Sequence, residues 1–82
     1  MVGLSLDDRA EALFVTDLQR SDSPTPDEVR KAVQLALRRH GGARNCALLV
    51  ATEFGEHPET AVARMHWVLQ ALGAAYPRAE SH

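Results

Sequence analysis

The sequence predicts an all-α domain of four helices, and three observations carry that expectation. The apolar residues are mostly Ala, Leu and Val, with aromatics at only 5%, a composition that favours helix over sheet. Apolar positions recur at helical spacing in four separate stretches. Proline and glycine punctuate the gaps between those stretches. A chain of 82 residues supports one domain, in which about 60–65% of the unfolded surface can be buried. The domain is expected to span 1–82, with frayed ends at 1–4 and 78–82.

The first helix is expected over 6–20, with Leu6, Ala10, Leu13, Phe14 and Leu18 on one face. Ser5 is the expected N-cap, and Asp7 and Asp8 suit the positive end of the helix dipole. The segment Ser21-Asp22-Ser23-Pro24-Thr25-Pro26 breaks the pattern. The second helix, over 26–40, has the best-marked start in the chain: Thr25 as N-cap, Pro26 at the first helical position, Glu28 completing a capping box. Val29, Ala32, Val33, Ala36 and Leu37 form its apolar face, and Arg38, Arg39, His40 and Gly41-Gly42 mark its end.

The third helix, over 44–54, carries Cys46, Leu49, Val50 and Phe54 inward, with Ala47, Leu48 and Ala51 widening that stripe and Gly55 as its stop. The fourth, over 59–75, opens at Pro58 or Glu59 and cannot pass Pro77. Nothing reads as a strand; the run Leu48-Leu49-Val50 is flanked by alanines and belongs to the helical stripe. With connections this short, the helices should pack as a compact bundle or a helix-turn-helix-like cluster.

Charge and composition exclude several functions. The net charge is −2, without the basic excess of a nucleic-acid or membrane-surface binder. The first third is acidic (Asp7, Asp8, Glu11, Asp17, Asp22, Asp27, Glu28), and the next stretch is basic (Arg30, Lys31, Arg38, Arg39, Arg44). Cys46 is the single cysteine, so no internal disulfide forms and a reducing cytoplasm is expected. The start MVGLSLDDR lacks the pattern of a secretory signal, and the apolar run from Cys46 to Ala51 is too short to cross a membrane.

No catalytic, cofactor or metal site is expected, and the chain does not read as an enzyme. Cys46 near a helix start beside Arg44 could be an activated thiol, but within CALLVA it reads as a small buried hydrophobe. His40, His57, His66 and His82 lack zinc-ligand spacing. Glu56 and Glu59 beside Pro58 suit helix capping better than acid–base chemistry.

The fourth helix carries the functional reading. On a helical wheel, Val62, Met65, Leu69, Leu72 and Tyr76 form a core stripe that Ala61 and Val68 widen. The opposite side presents Ala63, Trp67, Gln70 and Ala74 beside Thr60 and Ala71, with Arg64 and His66 at the borders. A helix apolar all round is commonly just buried, which would make Trp67 ordinary core. Alternatively Trp67 centres an exposed contact surface, since tryptophan is enriched where interfaces gain most of their energy. The expectation is a cytoplasmic helical protein–protein interaction module, regulatory or adaptor, that self-associates or docks a larger partner through Ala63, Arg64, Trp67, Gln70 and Ala74.

The alternative is a small DNA-binding regulator. Ala51-x3-Gly55-x4-Thr60, followed by Arg64, resembles the helix-turn-helix, whose second helix enters the major groove. Glu53, Glu56 and Glu59 would oppose phosphate at that edge, so nucleic acid is the less expected partner.

The segment Ala51-x-Glu53-Phe54-Gly55-x-His57-Pro58-Glu59-x-Ala61-x-x-Arg64-Met65-x-Trp67, with Pro24-Thr25-x-x-x-Val29-Arg30-x-Ala32-Val33 upstream, resembles a group of small all-helical actinobacterial proteins. The resemblance covers roughly Ala12 to Leu69. It implies a lineage and a helical fold, and brings no activity or site residues. His66 stands where such relatives would carry arginine, which makes this face less basic.

Overall fold

The computed structural model describes residues 4–77. Within them the chain forms α1 (Leu6–Phe14), a single 3-10 turn (Arg20–Asp22), α2 (Pro26–His40), α3 (Ala43–Glu56) and α4 (Pro58–Ala75), and no strand among the described residues. Every pair of these helices is in contact; α1 and α3 share the largest interface and α2 and α3 the smallest. The fold is therefore an all-α four-helix domain. The fraying expected at residues 1–3 and 78–82 lies outside the described residues; Leu4 is half-buried.

Local chemistry explains most helix ends. The Ser5 hydroxyl accepts from the Asp8 amide at 3.1 Å while the Asp8 carboxylate accepts from the Ser5 amide at 3.4 Å. Thr25 and Glu28 make the same reciprocal pair at 3.1 and 2.9 Å, with Pro26 opening α2. Each closes two amides that a helix start leaves without partners. At the other end of α2, Gly41 adopts φ 78°, a left-handed conformation that side chains with a Cβ rarely take.

Two boundaries differ from the sequence expectation. The first helix stops at Phe14, not Arg20. To continue, the Phe14 carbonyl would accept from the Leu18 amide and the Thr16 carbonyl from the Arg20 amide. Instead Arg64 of α4 donates to both carbonyls, Nε to Phe14 at 2.8 Å and a terminal nitrogen to Thr16 at 2.9 Å. The Thr16 hydroxyl donates to the Leu13 carbonyl and accepts from the Leu18 amide, which fixes the exit. The third helix runs through Gly55 to Glu56, because Gly55 is not in a left-handed conformation. The stop comes from Pro58, which forces the preceding His57 out of helical backbone (φ −137°, ψ 63°). His57 is thus the C-cap of α3 and the N-cap of α4 at once.

The core is built from Ala10, Ala12, Leu13 and Phe14 of α1, Val29, Val33 and Ala36 of α2, Cys46 and Val50 of α3, and Ala61, Val68, Leu72 and Ala75 of α4. Full burial of a Leu, Val or Phe side chain is worth about 1.5–3 kcal/mol, so Leu13, Phe14, Val29, Val33, Val68 and Leu72 contribute most of its energy. The Phe14 and Phe54 rings stack with centroids 6.0 Å apart.

Several expected core positions lie at the surface. On α4, Val62 and Leu69 are each 45% exposed, Met65 and Tyr76 are half-buried, and only Leu72 of the expected stripe is fully covered. The true inward face centres on Ala61 and Val68, roughly 60° around the helix from the expected one at 100° per residue. On α3, Leu48 and Leu49 are exposed and Phe54 is half-buried, leaving Cys46 and Val50 as the covered pair. Leu6 of α1 is exposed, and Leu18, Ala32 and Leu37 are half-buried. The physical reason is common to α1 and α4: alanines at the contact let two helix backbones approach closely, so small residues take the inner positions and larger ones move to the flanks.

Candidate functional site

The side of α4 that faces the α1–α2 connection forms the candidate site. A groove of about 670 Å³ runs between them, lined by Thr60, Ala63, Arg64 and Trp67 of α4 and by Thr16, Asp17, Gln19 and Arg20 of the connection. Because α1 ends early, residues 15–19 cross the groove as irregular chain, and the 3-10 turn at Arg20–Asp22 closes its far end. The Asp22 carboxylate accepts from the Gln19 amide at 2.8 Å and holds that turn.

Arg64 is the pivot of the groove. Its guanidinium lies over the Phe14 ring at 5.5 Å and over the Trp67 ring at 5.4 Å, measured to the ring centroids. Cation–π contacts of this kind are worth about 0.5–1 kcal/mol when exposed and more when shielded. Burial lowers the Arg64 pKa and the nearby Asp17 raises it, with burial dominant. The group remains a cation at any physiological pH. It supplies α1 with the positive charge that its own last turn lacks.

Trp67 is neither fully buried nor free in solvent: it is half-buried, packed against the core at one edge and open to the groove at the other. Of the five residues expected to form a contact surface, the structure brings Ala63, Arg64 and Trp67 together in the groove. Gln70 and Ala74 are exposed further along the same side of α4 and outside the groove. Thr16, Asp17, Gln19 and Arg20 were not expected there, because sequence periodicity placed them on a continuing helix. The only local signal for an early end is Thr16, whose hydroxyl can bond backbone groups nearby.

Other candidate chemistry finds little support in the geometry. Cys46 is fully covered, and burial, with Glu11 adding a smaller effect, pushes its thiol pKa up; the reactive form of cysteine is the thiolate. Among the described residues, no three His, Cys, Asp or Glu side chains come together as metal ligands, and no helix is long and apolar enough to cross a membrane. Glu53, Glu56, His57 and Glu59 are all exposed at the α3–α4 joint, so the edge that a helix-turn-helix would offer to phosphate is lined by carboxylates.

Comparison of the chain with protein-family models, with curated proteins and with solved structures finds no match.

Proposed function

We propose that this chain is a cytoplasmic protein–protein interaction module, regulatory or adaptor in role, which self-associates or docks a larger partner through the α4 groove. The observation that carries the reading is the half-buried Trp67, with Ala63 beside it, at the edge of a groove whose remaining side chains are polar or charged. Protein interfaces have this anatomy, an aromatic or apolar centre surrounded by a polar rim. Trp67 is the only tryptophan in the chain, and the Arg64 guanidinium over its ring favours one ring orientation before a partner arrives. A pre-positioned ring lowers the ordering cost of association. Exposed Ala63, Gln70 and Ala74 extend the same side of α4 with small or neutral side chains, over which a partner helix can lie closely.

The test is site-specific photocrosslinking in the native cytoplasm, with the reactive group at Ala63 or Gln70 and a control at Leu6. Crosslinked species from the two α4 positions and none from the control are expected. With the probe at Gln70, an added Ala63→Arg substitution, at an exposed position outside the core, should abolish the crosslink while far-UV circular dichroism stays unchanged. No crosslink from either α4 position would overturn the reading. The mass of the crosslinked species distinguishes a second copy from a different protein.

A further inference from the structure

The α1–α2 connection has a second side. Away from the α4 groove it forms a cleft of about 240 Å³ against α2, lined by Val15, Leu18, Ala32, Leu35 and Ala36, with Asp17, Arg39 and His40 also on its walls. The cleft is small, mostly apolar, and has room for one large side chain. Leu35 on its wall is 53% exposed, in the middle of the outer face of α2.

Apart from Asp17 on the connection, the charged side chain lining it is Arg39 of α2, and the stretch of chain that follows is basic. Residues 29–52 contain no carboxylate and five cations, Arg30, Lys31, Arg38, Arg39 and Arg44. Asp27 pairs with Arg30 at 3.3 Å and with Lys31 at 3.4 Å. Among the described residues these are the only ion pairs, and none of them involves Arg38, Arg39 or Arg44. Leu35 lines a second, shallower depression with Lys31, Gln34 and Arg38, so cations stand on both sides of it. The negative end of the α2 dipole accounts for cations in its last turn. It does not account for an exposed leucine beside an apolar cleft.

We propose that this face of α2 docks an acidic segment of another protein: one large apolar side chain enters the cleft against Leu35, and flanking carboxylates meet Arg38 and Arg39. A polypeptide fits these features better than a nucleic acid does. No aromatic side chain lines the cleft to stack a base, and its apolar lining of Val15, Leu18, Ala32, Leu35 and Ala36 suits an apolar side chain, which a nucleic acid lacks. A helix carrying an apolar anchor between carboxylates supplies both complements in one element. This surface is distinct from the Trp67 groove, and the two share only Thr16 and Asp17 of the connection between them.

The test starts from a random linear peptide library displayed on phage and selected against the immobilised full chain. The most enriched peptide is then titrated into the isotopically labelled protein and followed by amide chemical shifts. Enrichment of a large apolar residue flanked by Asp or Glu is expected, with shifts concentrated at Val15, Leu18, Leu35 and Arg39. The variant Arg38→Glu with Arg39→Glu, both exposed and outside the core, should weaken binding at least about tenfold with helicity unchanged. Replacing the peptide's apolar residue by alanine should also abolish binding. Enrichment without acidic residues overturns the proposal, as does a DNA duplex that moves the same amides at equal or lower concentration. Shifts confined to Ala63, Trp67 and Gln70 would likewise overturn it, while supporting the α4 groove.

Discussion

The second and fourth helices are of similar length, and they are held in place in opposite ways. Everything that starts and stops α2 lies within or beside it: Thr25, Pro26 and Glu28 at one end, Arg38, Arg39, His40 and Gly41 at the other. Helix α4 has no side-chain cap at its N-terminus and no cation in its last turn. Its C-terminal Ala75 carbonyl instead accepts from Arg30 of α2 at 2.8 Å, and Arg9 of α1 lies over the Tyr76 ring at 4.4 Å. In return α4 supplies Arg64 to the end of α1. The end of one helix is held by its own sequence, and the end of the other by its neighbours. Local punctuation survives substitution elsewhere, whereas termini capped across helices fail together.

The largest break in that comparison should come from Arg64→Ala. It leaves the Phe14 and Thr16 carbonyls without their side-chain donor and removes the cation between two rings, and about 2–4 kcal/mol of stability should be lost. Urea unfolding measures it. Arg64→Lys should recover only part of the loss, because an ammonium cannot reproduce the planar two-donor geometry. Next comes Arg30→Ala, which removes the cap on Ala75 and the pair with Asp27. About 1–1.5 kcal/mol is expected for a half-exposed bond of this kind, with amide exchange accelerated at the C-terminus of α4 and unchanged at that of α2. Thr25→Ala should cost about 1 kcal/mol and speed exchange only in the first turn of α2, which sharpens the contrast.

The smallest effects are in pH dependence, and a carboxylate on α1 differs in sign from one at the start of α2. Hydrogen bonding from Lys31, with its charge and Arg30 beside it, holds the Asp27 carboxyl below its ordinary value. The folded state therefore binds that proton less tightly. The stabilisation is complete above the ordinary aspartate pKa and is lost as pH falls through the lowered one. Glu11 is the reverse: burial first, then Asp8 and Asp7, raise its pKa. Its charged form costs stability at neutral pH, and that cost fades as pH falls through the raised value. Glu11→Gln should slightly raise the midpoint of thermal unfolding at neutral pH, with the difference shrinking toward acid pH. Asp27→Asn should lower it at neutral pH and converge with wild type only in stronger acid.

The same contrast decides what was legible in the sequence. The limits of α2 at Pro26 and His40 were readable because their causes are neighbours in sequence. The end of α1 was not, since the donor that stops it lies 50 residues away from Phe14 and Thr16 is the one weak local signal for it. The inward face of α4 was misread because Val62 and Leu69 outweigh Ala61 and Ala75 in any hydrophobic pattern. Close helix packing prefers the alanines, and that preference depends on the neighbour's shape. For the candidate site, Ala63, Arg64 and Trp67 stood out because one helix carries them. The opposite wall, from Thr16 to Arg20, became visible only with the early end of α1.

The bond from Arg64 to the end of α1 also bears on how the chain reaches its native state. Until α4 arrives, the Arg64 guanidinium does not compete with the amides of Leu18 and Arg20 for the carbonyls of Phe14 and Thr16. The isolated N-terminal segment is then free to propagate helix past its native limit. The exit toward α2, and with it both clefts flanking the connection, takes shape only when residues 14 and 64 meet. Contacts of such long sequence separation form late and slow the search for the native topology. Both proposed surfaces therefore depend on a contact that closes a 50-residue span of the chain, and a truncation that removes α4 should alter the two of them together.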